Sequence, residues 1–180
     1  MNAHFASGGT RWNQMMAIAN SSSISNSAGL QAIGEYLDLT NFADYMLLHF
    51  YADAEDWPHH NGYAAVNAVS GDGRIRFSVW DQEISLNKFT WNRYNSNNGN
   101  TTPGTLFQRL RLNPEIRLLF ADRVKRHLHD GGALALAGSK SRYLGIAAEI
   151  DKAIVAESAR WGDTADKTPY GSTIQQPYPL

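Results

Sequence analysis

The sequence predicts a mainly-α protein of the α+β class with a single small β-hairpin. Three observations carry this. Apolar residues recur at helical spacing in three stretches, around 42–50, 116–128 and 143–154. One stretch, 63–80, carries β-branched and alternating apolar residues around a Ser-Gly-Asp-Gly turn signal. The rest is Ser, Asn and Gly-rich or shows no period of its own, and no internal repeat is present.

Composition bounds the possibilities. A chain of 180 residues fits one domain and is long enough to bury a core. A hydrophobic fraction of 43% with five Trp belongs to a folded chain. A net charge of −1 supplies no basic field, so neither nucleic acid nor an anionic membrane is expected as a partner. No apolar run has the length of a membrane span, and residues 1–10 show no basic segment followed by an apolar one, so no signal peptide is expected in this chain. The absence of Cys excludes disulfides, thiolate zinc sites and a Cys nucleophile, and leaves the compartment open.

In chain order, residues 1–29 read as a linker or as the remnant of a missing N-terminal part, with a short helix only at Arg11–Ile18 and a linker proper at Ser21–Gly29. A weak helix is expected at Gln31–Leu37. The first strong element is a helix over Asn41–Ala52, capped by Thr40 or Asn41. Its Phe42, Tyr45, Met46, His49 and Phe50 form one face, expected to pack in the core. It leads into the acidic loop Asp53-Ala54-Glu55-Asp56, where Pro58 disfavours further helix. A hairpin follows, Tyr63–Val69 paired with Arg74–Trp80. Residues 87–104, with six Asn, read as a long polar loop in which Phe89, Trp91 and Tyr94 are expected to pack on the domain rather than stack on a ligand. Three helices close the chain. They are Leu106–Leu112, a helix opened by Asn113-Pro114-Glu115 and ended by Gly131-Gly132, and a long helix from a Ser139 cap to about Arg160 with Tyr143, Ala147, Ile150 and Ile154 inward. An extended tail, 166–180, ends the chain.

The chemistry concentrates between Asp56 and Glu83. Asp56, then Asn61, then a hairpin delivering Asp81 is the order in which a protein kinase sets out its catalytic base and metal ligands. Phosphoryl transfer divides the work this way because cations neutralise phosphate charge while one carboxylate orients the hydroxyl. Spacing alone carries little: with 11 Asp and 14 Asn in the chain, about one Asp-x4-Asn pair arises by chance. The order of elements around the pair is what adds weight. Two other uses of these acids compete. Asp53, Glu55, Asp56, Asp81 and Glu83 hold enough carboxylates for a glycoside hydrolase pair. His59 and His60 with the same acids make a transition-metal reading, against which stands the poor placement of adjacent histidines for one ion. Neither a Gly-x-Gly-x-x-Gly loop nor any Lys precedes Asp56, the first Lys being Lys88.

The segments 38–45, Asp56-Trp57 with Asn61, Trp80-Asp81-Gln82-Glu83, Asn113-Pro114-Glu115-Ile116-Arg117, 120–123, Gly131-Gly132 and 156–163 together resemble the CotH kinase family, the spore-coat-protein-H-like atypical kinases, over residues 30–165. The resemblance implies a protein-kinase-like C-terminal lobe with its N-lobe absent, and transfer of the ATP γ-phosphate to protein Ser or Tyr hydroxyls with Mg²⁺ or Mn²⁺. It implies Asp56 as catalytic base and Asp81 and Asn61 as metal ligands; Trp57, Trp80 and Glu83 belong to the motif without an assigned chemistry, and packing is their default expectation. Implied partners are a protein substrate and a missing N-terminal lobe or flanking domains that would bring the phosphate-contacting Lys. The family also points to a spore coat or a secreted or surface setting. The alternative expectation is a non-catalytic, pseudokinase-like structural module of such an assembly.

Overall fold

The computed structural model describes residues 9–66, 71–86, 90, 92–96 and 99–161. Among them six helices and one two-stranded antiparallel sheet are formed. The order is α1 (Gly9–Asn20), a 3₁₀ turn (Ser22–Ser25), α2 (Ser27–Gly34), α3 (Leu39–Ala52), β1 (Gly62–Val66), β2 (Ile75–Val79), a second 3₁₀ turn (Arg93–Asn95), α4 (Pro103–Leu110), α5 (Pro114–Leu128) and α6 (Leu136–Trp161). The mainly-α α+β class is what the periodicity predicts. The chain divides into two compact units between Val124 and Lys125.

In the first unit the N-terminal region departs from expectation. Residues 9–29 are not a linker. Trp12, Met15, Met16 and Ala19 recur at i, i+3, i+4 and i+7 of α1 and all are buried. The polar residues of 21–29 cap rather than loosen the chain. Ser21 Oγ donates to the Ile18 carbonyl at 2.7 Å, and the Asn26 side chain accepts from the Ala28 and Gly29 amides. Ile24 is buried between them. Gly29 lets α2 approach the 3₁₀ turn, since a Cβ there would collide with the Ser23 carbonyl. The weak helix expected at Gln31–Leu37 starts four residues earlier for the same reason.

Helix α3 is capped by Asp38, whose Oδ1 accepts from the Asn41 amide at 3.0 Å, and not by Thr40 or Asn41. Asn41 has another task. Its side chain accepts from the Phe77 amide at 2.7 Å and donates to the Phe77 carbonyl at 3.1 Å, standing in for a neighbouring strand on β2. Residues 36–38 complete that edge, with Ile75 N bonded to Tyr36 O and Asp38 N to Ile75 O. The five-residue hairpin would be marginal alone. It is held because Ile75 and Phe77 turn inward, Phe77 lying 5.0 Å from Phe42, 4.9 Å from Tyr45 and 6.0 Å from Trp12 between ring centroids. Its register runs from Gly62↔Val79 to Val66↔Ile75. The expected strand end at Val69 lies outside the described residues.

Tyr94 packs as expected, 5.5 Å from Phe50 and 5.4 Å from Phe107. Phe89 and Trp91 lie outside the described residues. Thr102 caps α4 through the Thr105 amide, so that helix begins at Pro103 and not Leu106. Asn113 opens α5, its Oδ1 accepting from Glu115 N at 2.9 Å. The same buried side chain donates to the carbonyls of Ile24 and Asn26, both at 2.9 Å. Arg123 joins α5 to α3 through two charge-assisted bonds to Asp44, at 2.6 and 2.7 Å.

In the second unit Gly131, with φ 77°, follows α5, and the Leu134 amide returns to the His127 carbonyl. α6 begins at Leu136, so Ser139 sits within the first turn instead of capping it; Ala135, Leu136 and Ala137 are strong helix formers. Tyr143 and Ile150, expected inward, are 71% and 47% exposed. The tail 166–180, including Tyr170 and Tyr178, lies outside the described residues.

Candidate functional site

The site grows from the end of α3. Asp53 terminates the helix in the left-handed conformation, φ 49°, its amide bonded to the His49 carbonyl. Its carboxylate accepts from Arg93 Nε at 3.2 Å, and both side chains are nearly buried. Asp53 is therefore engaged in an ion pair that ties the polar loop to the acidic one. Nothing in the local sequence marks Arg93 for that part, because the pair spans 40 residues.

Trp57 is the anchor of the loop. It is fully buried, donates from Nε1 to the Tyr45 hydroxyl at 2.8 Å, and lies flat on the His49 ring with centroids 4.6 Å apart. Phe50 meets it edge-on at 6.0 Å. The aromatic stripe of α3 is thus the socket for Trp57, which bears out the packing expectation for both. Burial drives the Tyr45 phenol well above its ordinary range, the Trp57 bond opposing this only in part. Burial pulls His49 down to about 4, so it is neutral at pH 7. Neither ring nitrogen of His49 has a hydrogen-bond partner. Pro58 follows through a cis peptide and is buried too, and Gly104 of α4 lies against it where a Cβ would meet Pro58 and the Ser96 carbonyl.

Trp57 and Pro58 face inward while their neighbours face out. Asp56 and His59 have side chains 37% and 41% exposed. Asn61 adopts φ 53° and its Nδ2 donates to the Asp81 carbonyl at 3.1 Å. Asp81, φ 54°, is exposed just past β2. A second tie joins the two sides of the site: Glu55 N bonds Ile84 O at 2.9 Å, and Leu86 N bonds Ala52 O at 2.6 Å. The chain preceding Asp56 and the chain following Asp81 therefore run together at the open end of the hairpin. The three residues singled out by sequence, Asp56, Asn61 and Asp81, sit on these tied segments. Trp80 differs from its packing expectation: it is 64% exposed, its ring 6.5 Å from Tyr63 on the outer side of the sheet.

Asp56, His59 and His60 come closer still, with one ligand atom from each lying within 4.8 Å of the others. Adjacent histidines diverge on an extended chain, which is why sequence counts against them. Here the His60 amide bonds the Asp56 carbonyl at 3.1 Å, closing a helix-like turn. Positions i+3 and i+4 then share the side of position i.

Chemically the loop offers an exposed carboxylate, Asp56, able to accept a proton. Asp81 and Asn61 carry side-chain oxygens of the hard-donor type that suits Mg²⁺ or Mn²⁺, and the contact joining the two residues runs from Asn61 Nδ2 to the Asp81 backbone carbonyl. No helix among the described residues is long and apolar enough to cross a membrane.

A family model described as CotH kinase protein matches residues 8–177, nearly the whole chain. Comparison with curated proteins and with solved structures yields no match. The chain belongs to the CotH kinase family.

Proposed function

We propose that this member of the CotH kinase family serves phosphoryl transfer from ATP to a protein Ser or Tyr hydroxyl, as the C-terminal-lobe half of a kinase-like site. The observation that carries the proposal is the hydrogen bond from Asn61 to the Asp81 backbone at the hairpin mouth, on segments tied to the Asp56 loop. Asp56 is the base: it accepts the hydroxyl proton as the oxygen bonds to the γ-phosphorus and the bond to the ADP leaving oxygen breaks. Asp81 and Asn61 would hold Mg²⁺ or Mn²⁺, which supplies neutralisation of phosphate charge when bound. Trp57 acts as a positioning residue, since its buried ring fixes the backbone on which Asp56 is presented. The phosphate-contacting Lys is not among residues 1–55, and Arg11 is occupied with the Glu35 carbonyl and the Tyr36 ring. ATP phosphate contacts would then fall to a partner lobe or flanking domain, in the coat or surface setting that the family suggests.

Transfer of labelled phosphate from ATP to protein, measured on a version extended upstream by a Lys-bearing segment, tests this. Asp81→Ala is expected to abolish transfer and Asp56→Asn to lower it about 10²–10⁴-fold. Full transfer by Asp81→Ala would overturn the metal assignment. The lack of a Lys and a Gly-rich loop before Asp56 favours a second reading, a non-catalytic module; labelling of a protein by this chain alone would rule that out.

A further inference from the structure

We infer that Asp56, His59 and His60 form a binding site for a zinc-class divalent ion, separate from the side-chain oxygens of Asp81 and Asn61. Three features support it. The donors are two imidazoles and one carboxylate, the set that zinc-like ions take in sites keeping an open position, whereas Mg²⁺ prefers oxygen alone. The spacing is close to what one ion requires. Ligands about 2.0–2.2 Å from a tetrahedrally coordinated ion stand roughly 3.3–3.6 Å apart. His59 Nε2 and Asp56 Oδ1 already lie 3.9 Å apart, and the whole set falls within 4.8 Å. His60 is exposed, so rotation of its ring closes the remaining gap. Finally, the site is built on a fixed base. The Asp56–His60 turn is closed by a backbone bond, and the buried Trp57 within it holds the turn to α3.

Where Asp56 is also the base of the proposed transfer, an ion held there takes its carboxylate out of proton transfer, so zinc would act as an inhibitor. Binding read without nucleotide keeps the two ideas distinguishable.

The test is titration of the full chain with ZnCl₂ against a chromophoric chelator, and with CoCl₂ followed by visible absorption. One equivalent is expected to bind, with the intense visible bands of low-coordinate Co²⁺, and millimolar MgCl₂ should not displace it. His59→Gln, His60→Gln and Asp56→Asn are each expected to weaken binding at least tenfold. Asp81→Ala should leave it unchanged. Circular dichroism of each variant confirms folding. Wild-type affinity in folded His60→Gln, loss of binding in Asp81→Ala, or displacement by Mg²⁺ would overturn the inference. Inhibition of transfer by Zn²⁺ that is relieved in His60→Gln would add the regulatory consequence.

Discussion

Helices α3 and α6 carry the same kind of sequence signal and meet opposite fates. Each has apolar residues on one face at helical spacing. In α3 that face is consumed: Phe42, Tyr45, Met46 and His49 are all buried, packed on Trp57, Phe77 and each other. In α6 Tyr143 and Ile150 are 71% and 47% exposed, and Ala147 and Ile154 of the same face are only partly buried. The difference teaches that periodicity establishes a face, while burial needs a partner with a complementary surface. α3 finds Trp57 and Phe77 in the loop and hairpin that follow it directly, and Phe107 and Phe120 farther along the chain. The candidate residues Asp56, Asn61 and Asp81 sit beside the helix whose face is consumed, where the backbone is tied by several hydrogen bonds.

Three substitutions sharpen this contrast. The largest expected effect is at the α3 socket. Trp57→Ala empties a fully buried site and leaves the Tyr45 hydroxyl buried without its donor, so a loss of about 3–5 kcal/mol is expected in urea denaturation. A loss under about 1 kcal/mol would mean that the loop is not anchored as described.

Next is His49. Its folded-state value of about 4 lies below the ordinary 6.5, so the unfolded chain binds the proton first as pH falls. The stabilisation from keeping this ring neutral is complete above pH 6.5 and is lost between 6.5 and 4. The loss is on the order of 3 kcal/mol, at about 1.4 kcal/mol per pH unit. Stability measured across that range should fall for the wild type, and His49→Phe should remove that part of the slope. An unchanged slope in His49→Phe would show that other groups set it.

The smallest effect is expected on α6. Ile150→Ala should change the stability of this chain by no more than about 0.5 kcal/mol, because the side chain is exposed. A cost near that of a core substitution would mean that this face is covered in solution, and would erase the contrast with α3.

Much of the fold is legible in the sequence because its signals are local. The stripe of α3, the Asn113-Pro114-Glu115 start of α5 and the two hairpin strands depend on residues within one or two turns of each other. The order Asp56, Asn61, Asp81 is equally local, one loop and one hairpin. What misleads is polar residues serving distant partners. Ser21–Gly29 looks like a linker because its Asn and Ser are counted as solvent-seeking. In the structure they cap helices, and their carbonyls are held by Asn113, 89 residues away from Ile24. Asn41 looks like a helix cap, yet it serves Phe77 across 36 residues. Asp53 reads as a candidate acid until Arg93 pairs with it.

The sequence by itself determined the class, the family and the order in which the carboxylates and Asn61 are delivered, because 3.6- and 2-residue periods and short motifs are properties of neighbouring residues. Only the tertiary structure decided which polar groups remain available at the site. It placed Trp57 under the loop, engaged Asp53 with Arg93, set Asn61 against Asp81, and turned His59 and His60 onto the side of Asp56. Those outcomes follow from a buried aromatic anchor and one backbone turn, whose geometry no local pattern encodes.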